Sequence, residues 1–581
     1  MADRYLALIG GSAARQATLA ERAPRDGSLV VAIDRPGLLV LVQSGARCIL
    51  LGEAGLILGT FFTPGRPGPL QELREGARLE IGTTRGANLI NAYWGGYVAF
   101  LADPVASTVD VVRAPFGELP CFHWTSDGAT LIASDVALLI EAGGFGRKVK
   151  WEALARHLAA GDLRRNETCL DGIQELRGGE RLECGAGRVR TGNLWSPWEQ
   201  ASPDRQFAEL EEAIRRLRDT ARYSVRTRRP TSDGMLLLLS GGVDSSIVAA
   251  CLAHAGCAFD CLTLVTANPS GDERSYARLA AESVGAALVE RMREVSRIDL
   301  TRSAAAHLPR PVGRSFEQES RRLAEETCGE LAAQVIVDGG GGDNLFCSLQ
   351  SVAPVADCLL SDRGDAKFWQ MSAEIGSLAE TSIWTVAGRA WRRARRGPRY
   401  RWKPDLRFLS SAGTALAHGA VAHPWLDAPD DALPGKAAHI ALIAAAQGLA
   451  EDADPQATIP SIPALVSQPL VETCLRIPTW YWFARGRNRA AARLAFDSDL
   501  PAEVIWRRTK GTPDSFVIEI YEQHRPLIRS LLTDGQLAGN GLIDVDTLIK
   551  VIDDPSPARG HDFARIMQLL DAEVWARSQA G

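Results

Sequence analysis

The chain has 581 residues, a formal net charge of −5 and a sequence pI of about 6.1. This length exceeds what one hydrophobic core usually organises, so we expect two or more domains. The slightly acidic balance argues against a nucleic-acid partner, and eleven irregularly spaced cysteines argue against a disulfide framework.

The N-terminal stretch MADRYLALIGG has only a short apolar run, which is unlike a signal peptide. The longest apolar helical candidate, residues 437–450, is too short to span a membrane. We therefore expect a cytoplasmic protein.

Residues 1–200 alternate short apolar segments with Gly, Pro and Asp turns, a pattern that predicts a layered β-rich domain. The segments are SLVVAI, GLLVLV, CILLG, LILGTFF, YVAFLA, VDVVRA and TLIAS. Residues 196–206 are interpreted as a linker, after which Ser202 and Pro203 predict the start of a helix. The helical spacing that follows is carried by Phe207, Leu210, Ile214 and Leu217.

Beyond this linker, strand-like and helical segments alternate. LLLLS, CLTLVT and QVIVDGG are typical of buried strands, and DERSYARLAAESVG is typical of a helix. This alternation predicts a parallel sheet with crossover helices, and the chain past about residue 350 reads as mostly helical.

The stretch SGGVDSS, residues 240–246, lies between the LLLLS strand and a predicted helix that ends at Gly256. At such a junction the helix N-terminus favours anions, and glycines let a phosphate approach the backbone. The stretch has no lysine, so it is not a Walker loop, and it resembles the pyrophosphate loop of ATP pyrophosphatases. The alternative interpretation is an ordinary glycine-rich turn.

A second glycine loop follows a predicted buried strand in VIVDGGGGDNLF, residues 335–346. In a doubly wound sheet the two loops can meet at the carboxyl ends of adjacent strands. Asp244 and Asp343 could then share Mg²⁺ and the departing pyrophosphate, since Mg²⁺ favours carboxylate ligands. A turn that holds a structural aspartate is the alternative.

These loops, together with PLVETCLRIP, GRNRAAARLAF and LPAEVIWRRTKG, resemble the synthetase domain of the asparagine synthetase family. Upstream, WGGYVAF, VVRAPFGELPCFHW, LIASDVALL and TCLDGIQELRGGERL resemble its glutaminase domain. The resemblance implies an α/β protein: an N-terminal Ntn-type, β-rich, layered glutaminase-like domain over residues 1–200, then an α/β ATP-pyrophosphatase domain over 201–581 with a parallel sheet and a helical C-terminal part.

The resemblance also implies ATP and Mg²⁺ as cofactors. It implies catalytic roles for Lys510, Asp244 and Asp343. The two aspartates are also the implied Mg²⁺ ligands. Lys510, in RRTKG, would offset charge on the phosphates, although a solvated turn is the usual place for a lysine. The implied nucleotide contacts are Ser240, Gly241, Gly242, Asp244, Ser245, Ser246, Leu264, Asp338, Gly339 and Lys510.

Two departures from the family pattern bear on function. Glutamine-hydrolysing members have a cysteine directly after the initiator methionine. This chain has Ala2 there, and its first cysteine is Cys48. We therefore expect a glutaminase-like domain that acts only as a scaffold. Gly340 occupies the position of a Glu in asparagine synthetases and of a Tyr in β-lactam synthetases. We therefore expect a bulkier, amine-bearing substrate.

These features most resemble the lasso peptide cyclases (macrolactam synthetases) of the family. The resemblance implies adenylation of an Asp or Glu side chain in a leader-cleaved ribosomal precursor peptide, then attack by the peptide's N-terminal amine, with a leader peptidase and a leader-binding protein as partners. The alternatives are a β-lactam-synthetase-like or an ammonia-dependent asparagine-synthetase-like ligase acting on a small amino acid, a tRNA-thiolating pyrophosphatase, and a non-enzymatic regulator.

Two further features leave alternatives open. The basic, aromatic run at 388–405 could bind an acidic peptide, a partner protein or a membrane surface, or form a solvated helix. Glu317 and Glu319 could supply a base for the amine or offset a helix dipole.

Overall fold

The computed structural model describes residues 4–22, 29–103, 105–185, 187–228, 234–268, 271–361, 364–450, 457–507 and 514–579. Two antiparallel sheets form the first part of the chain, and one parallel sheet surrounded by helices forms the second. The predicted α/β fold class is confirmed.

The first part contains twelve strands and six α-helices within the described ranges. The strands are β1 Tyr5–Gly10, β2 Leu29–Arg35, β3 Leu38–Gln43, β4 Cys48–Leu50, β5 Gly55–Phe62, β6 Trp94–Asp103, β7 Thr108–Arg113, β8 Phe122–Ser126, β9 Ala129–Ala133, β10 Gln174–Glu175, β11 Glu180–Gly185 and β12 Arg188–Asn193. The helices are α1 Ala13–Arg22, α2 Glu75–Thr83, α3 Ala87–Ala92, α4 Val136–Gly143, α5 Trp151–Ala160 and α6 Pro197–Ala201.

The two antiparallel sheets have the strand orders β10-β8-β9-β1-β3-β2 and β12-β11-β7-β6-β5-β4. Side chains of alternating residues from both sheets, such as Tyr5 and Phe100, meet in a shared apolar layer. The intervening residues, such as Leu6 and Leu8, belong to a second cluster with the covering helices. Strand β1 is therefore apolar on both faces because each face is covered.

The second part contains five strands and seventeen α-helices within the described ranges. The strands are β13 Met235–Leu238, β14 Asp260–Val265, β15 Leu288–Met292, β16 Val335–Asp338 and β17 Ser461–Pro463. The helices are α7 Leu210–Arg228, α8 Val243–His254, α9 Arg274–Ser283, α10 Glu317–Leu331, α11 Gly342–Leu345, α12 Ala353–Leu360, α13 Asp365–Leu378, α14 Ile383–Ala394, α15 Ser411–Leu416, α16 Pro434–Ala446, α17 Gln468–Arg476, α18 Ala490–Ala495, α19 Ala502–Ile505, α20 Asp514–Thr533, α21 Gln536–Gly539, α22 Val545–Ile552 and α23 Asp562–Ser578.

The parallel sheet has the order β15-β14-β13-β16-β17, so the two strands that precede the glycine loops are neighbours. Leu236 and Ile336 face α10, whereas Leu237 and Val337 face the opposite side, which α8 covers. Covering both faces explains the continuous apolar run of β13. Loops that follow neighbouring parallel strands emerge at the same edge, which places both glycine loops together.

The structure corrects several predicted boundaries. The helix predicted from Ser202 begins at Leu210, after a short 3₁₀ turn at Pro203–Arg205. The predicted linker contains α6, which packs against α17. The helix predicted to end at Gly256 ends at His254. Strands β15 and β17 went unpredicted because both are edge strands, and β17 has only three residues.

The two parts of the chain share one apolar cluster and several polar contacts. Trp195 Nε1 donates to Glu472 Oε1 over 3.0 Å, and Tyr223 donates to the Thr63 carbonyl over 3.0 Å. Within the described ranges, no helix meets the length and hydropathy of a membrane span.

Candidate functional site

The first glycine loop connects β13 to α8 and is shaped by close backbone packing. Gly241 has a φ of 69°, and a Cβ there would lie 2.5 Å from the amide nitrogen of Ala277, so only glycine fits. Ser240 Oγ accepts a hydrogen bond from the Gly242 N–H at 3.2 Å. The same Ser240 Oγ lies 3.3 Å from Ser245 Oγ. The loop thus exposes Ser240 at the N-terminus of α8, a suitable place for an anion.

The second glycine loop, residues 339–342, packs directly on the first. A Cβ on Gly339 would lie 2.7 Å from the Ser245 nitrogen, and one on Gly342 would lie 2.5 Å from Asp244 Cγ. Both are far inside van der Waals contact. The two glycines are therefore required for the two loops to touch.

Arg489 joins the two predicted Mg²⁺ ligands. Its Nη1 lies 3.0 Å from Asp244 Oδ2 and 2.6 Å from Asp343 Oδ1. The arginine precedes α18, has a φ of 57° and is 8% exposed, whereas the Asp343 side chain is 42% exposed. A single guanidinium thus bridges a carboxylate from each loop, in a cluster that is open on the Asp343 side.

Arg507 holds the first loop from the other side. Its Nη1 donates to the Gly241 carbonyl at 2.9 Å, and its Nη2 donates to Glu273 Oε1 at 2.5 Å. The guanidinium lies 4.1 Å from the centre of the Tyr276 ring, within range of a cation–π contact. Neither Arg489 nor Arg507 was predicted as a site residue, although both lie in the motifs that carry the family resemblance.

Three further predicted residues lie on α8, β14 and β16. Ser246 is fully buried in α8, and Leu264 is half-buried near the carboxyl end of β14. Asp338 ends β16 at the same edge of the sheet as the glycine loops. Lys510 lies outside the described residues. The structure therefore gathers the predicted loop residues at one edge, while their roles remain predictions.

The two aspartates suit the Mg²⁺ that the family uses, because Mg²⁺ is commonly held by one or two carboxylates plus substrate phosphates. Asp244 and Asp343 already share one cation in Arg489. Among the described residues, no group of three or more His, Cys, Asp or Glu side chains is arranged as a metal site. Asp244 and Asp343 would hold Mg²⁺, which would offset charge on the phosphates.

A cavity of about 1250 Å³ lies between the two parts of the chain. One end reaches Leu238, Asp338 and Pro463 at the edge of the parallel sheet, and another is lined by Arg4 and Asp135 of the N-terminal part. Ser240 and Asp244 do not line it. The cavity therefore adjoins the glycine loops and leaves the phosphate site separate.

The cavity wall is richer in cations than in anions: nine arginines against six acidic residues. The arginines are Arg4, Arg147, Arg164, Arg297, Arg302, Arg310, Arg314, Arg321 and Arg322. His157 in this wall is uncharged near neutrality, because burial and then the neighbouring Arg310, Arg314 and Arg164 lower its pKa to about 3. Six of these nine arginines already pair with carboxylates of the protein, namely Arg4, Arg164, Arg297, Arg310, Arg314 and Arg322.

Glu317 and Glu319 differ in their access to this cavity. Glu317 lines it, whereas Glu319 is fully buried and pairs with Arg322 at 2.7 Å. Glu319 also accepts from the Glu294 N–H at 3.2 Å. Its contacts are those of a structural carboxylate, which favours the structural alternative for Glu319.

The basic run at 388–405 covers the end of α14 and an irregular segment after it. Outside the run, Trp384 on the same helix is 76% exposed and packs edge-on against Trp369, also exposed, with ring centroids 5.2 Å apart. Arg395 lies over the exposed ring of Trp391. The segment is an exposed aromatic and basic surface.

Two family models match the chain, which supports the arrangement of a glutaminase-like part before a synthetase-like part. The asparagine synthase model matches residues 216–577, more than half of the chain, and the glutamine amidotransferase domain model matches residues 79–195. The chain belongs to the asparagine synthase family. Membership makes the protein an ATP-dependent amide ligase.

Comparison with other proteins adds no finer identification. No curated protein sequence matches the chain. The solved glutamine phosphoribosylpyrophosphate amidotransferase from B. subtilis, complexed with ADP and GMP, is 10% identical with a TM-score of 0.21, covering 58% of this chain and 90% of that chain. A structure of the allosteric regulatory enzyme of purine biosynthesis is also 10% identical, with a TM-score of 0.21. The match covers 50% of this chain and 80% of that chain. Similarity this low carries no argument.

Proposed function

We propose that this asparagine synthase family member is a lasso peptide cyclase. It adenylates an Asp or Glu side chain of a leader-cleaved core peptide with ATP, and the peptide's N-terminal amine then attacks to close an isopeptide macrolactam. AMP and pyrophosphate are released. A leader peptidase and a leader-binding protein supply the trimmed peptide.

The observation that carries this proposal is the interdomain cavity beside the glycine loops. Its volume of about 1250 Å³ exceeds the roughly 300–1,000 Å³ that is usual for drug-sized ligands, so it offers room for a folded peptide. Gly340 adds no side chain at the edge of the sheet. A small-amino-acid ligase, of β-lactam-synthetase or asparagine-synthetase type, needs far less space.

The adenylation step uses the paired glycine loops. The exposed Ser240 and the N-terminus of α8 bind phosphate oxygens, while Asp244 and Asp343 hold Mg²⁺. The peptide carboxylate attacks the α-phosphorus and pyrophosphate leaves. Lys510, on the proposal, offsets the charge that builds on the phosphates.

The second step depends on holding the peptide in the cavity. A prefolded peptide keeps its amine close to the adenylate, which makes the attack effectively unimolecular. Once the peptide fills the cavity between the two parts of the chain, it limits the access of water to the labile adenylate. Arg302 and Arg321 of the cavity wall, which form no salt bridge among the described residues, hold acidic groups of the peptide.

The test is the intact mass of a short peptide encoded beside this gene. The leader-trimmed peptide is incubated with the protein, ATP, Mg²⁺ and any neighbouring peptidase. We expect loss of one water with stoichiometric AMP, and a tail that resists carboxypeptidase because the ring surrounds it. Asp244→Ala is the matched control, and it should abolish both products.

Other outcomes separate the alternatives. An unchanged peptide, with AMP formed only when a small amino acid or ammonia is added, would replace the proposal with the small-molecule ligase. A cyclised peptide whose tail is digested would retain the ligase and reject the lasso topology.

A further inference from the structure

Asp338 occupies the border between the two glycine loops and the interdomain cavity. It directly precedes Gly339, whose α-carbon is packed so tightly that a Cβ would lie 2.7 Å from the Ser245 nitrogen of the first loop. The same aspartate lines the cavity. An acyl group activated at the loops and an amine held in the cavity would therefore meet beside Asp338.

The Asp338 carboxylate is held in place by two donors. Oδ1 accepts from the Gly340 N–H at 2.6 Å, and Oδ2 accepts from Ser461 Oγ at 3.2 Å. A Cβ on residue 340 would lie only 2.7 Å from Oδ1, so the carboxylate uses space that a side chain at 340 would take. Each carboxylate oxygen has two lone pairs, which leaves capacity for a further donor.

We propose that Asp338 is the catalytic base that accepts the proton of the attacking amine. This inference rests on the proposed amide-forming function. The neutral amine nitrogen attacks the carbonyl carbon of the acyl-adenylate, a C–N bond forms, and the C–O bond to the phosphate breaks. AMP leaves with that electron pair, and the proton lost from nitrogen passes to the Asp338 carboxylate.

The surroundings of Asp338 suit a proton acceptor. Burial raises the pKa of Asp338 above that of an ordinary aspartate. The pKa is lowered by the hydrogen bonds from Gly340 and Ser461 and by the charge of Arg228, but these effects are smaller than that of burial. Arg228 itself pairs with Glu118 and donates to the Pro463 carbonyl at 2.8 Å. A raised pKa makes a carboxylate a better base near neutral pH.

The other acidic residues that line the cavity lie elsewhere or are already paired. Asp135 pairs with Arg4 at 3.1 Å, and Asp299 Oδ1 accepts from the Thr301 N–H at 2.9 Å. Glu317 and Glu325 lie on α10, outside the edge of the parallel sheet, and Asp162 pairs with Arg314 at 3.4 Å. Of the acidic residues in this wall, Asp338 is the one that lies at the end of a strand of the parallel sheet.

Asp338→Asn separates activation from amide formation, because the amide keeps the size and an acceptor oxygen but loses the basic oxygen. With the neighbouring gene's leader-trimmed peptide, three rates are measured: ATP–pyrophosphate exchange, hydroxamate formation with hydroxylamine, and macrolactam formation. Hydroxylamine is largely unprotonated at neutral pH and attacks without a base. On this proposal the role of base replaces the nucleotide contact that the family resemblance implies for Asp338. We therefore expect exchange and hydroxamate within about threefold of wild type and macrolactam reduced roughly 100-fold or more.

One control variant and one second test are measured in the same way. Asp260→Asn changes an aspartate at the opposite end of the same sheet, on β14, and should leave all three rates unchanged. Gly340→Ala keeps the carboxylate but crowds Oδ1, so macrolactam formation should fall about tenfold while exchange persists.

Three outcomes would overturn this assignment. If Asp338→Asn loses exchange, hydroxamate and macrolactam together, Asp338 is a nucleotide contact or a structural turn residue. If all three rates persist, the base is another group. If wild-type protein shows neither exchange nor cyclisation with the peptide, the proposed function fails, and the base assignment fails with it.

Discussion

Two arginine–carboxylate clusters in this molecule have similar chemistry and opposite accessibility. The interface cluster places Glu175 among Arg113, Arg164 and Arg310, where the two parts of the chain meet. The loop cluster places Arg489 between Asp244 and Asp343. Both use guanidinium groups to hold distant segments together, yet only the loop cluster is open to solvent.

The difference lies in burial. In the interface cluster Glu175 is completely buried, and each arginine is at most 6% exposed. Burial raises the pKa of Glu175, but the three neighbouring guanidinium groups outweigh it and hold the pKa well below the usual range. In the loop cluster the Asp343 side chain is 42% exposed. A sealed cluster fixes a domain interface, whereas an open one can exchange its cation for a ligand.

Glu175→Ala tests the sealed cluster and carries the largest expected effect. Three buried arginines would lose their carboxylate, which typically costs about 3–5 kcal/mol. We expect a matching loss in the free energy of unfolding, measured by urea denaturation. Glu183→Ala removes a carboxylate from a more exposed pair with Arg85 and should cost under about 1 kcal/mol. Equal losses in the two variants would show that burial does not distinguish them.

Gly342→Ala tests the packing that brings the open cluster together. The added Cβ would lie 2.5 Å from Asp244 Cγ, so the aspartate must rotate away from Arg489. We expect ATP–pyrophosphate exchange to fall roughly 100-fold, because misplacement of about 1 Å has this cost. Gly329→Ala in α10 meets no atom within 4 Å and should leave exchange unchanged. Full activity of Gly342→Ala would contradict the close approach of the two loops.

The same contrast explains what sequence alone could predict. Both glycine loops were visible because each follows a short apolar strand and carries an acid, signals contained within a dozen residues. Arg489 was not predicted to join them, because it lies 245 residues from Asp244 and reaches it only in the folded chain. The cavity depends on how two parts of the chain pack, a property without a local sequence signal. Lys510 stays a prediction, outside the described residues.

Arg489→Gln examines whether the cation of the open cluster is exchangeable. Without Arg489, Asp244 and Asp343 lose the guanidinium that bridges them, and we expect a loss of about 2 kcal/mol in nucleotide-free protein. Mg²⁺ with ATP should restore part of it, so the thermal shift on adding Mg²⁺ and ATP should be larger in the variant than in wild type.

The neighbouring Arg487→Gln is the control for this measurement. Arg487 donates to the Gly486 carbonyl and touches neither aspartate in the described contacts, so its ligand-induced shift should equal that of wild type. An Arg489→Gln shift no larger than that of wild type would mean that Mg²⁺ does not take over the role of the arginine.

Asp571 is a buried carboxyl group like Glu175, but it forms no salt bridge among the described residues. Comparing the two shows what burial does to a carboxyl group without a paired arginine. Asp571 accepts from the Ser315 N–H at 3.1 Å, and burial raises its pKa to about 7, although Arg314 lowers it in part. An acid whose pKa is raised on folding contributes stability at low pH, and that contribution is lost as pH rises from about 4 towards 7.

Asp571→Asn removes this titration, so the variant should gain stability relative to wild type as pH rises. We expect a difference near zero at pH 4 and a gain that grows towards pH 7, up to about 4 kcal/mol at pH 8, measured as paired melting curves. Titrations of all other groups are common to both proteins and cancel. A pH-independent difference would show that burial without a guanidinium does not shift Asp571. The contrast with Glu175 would then reflect something other than the presence of an arginine.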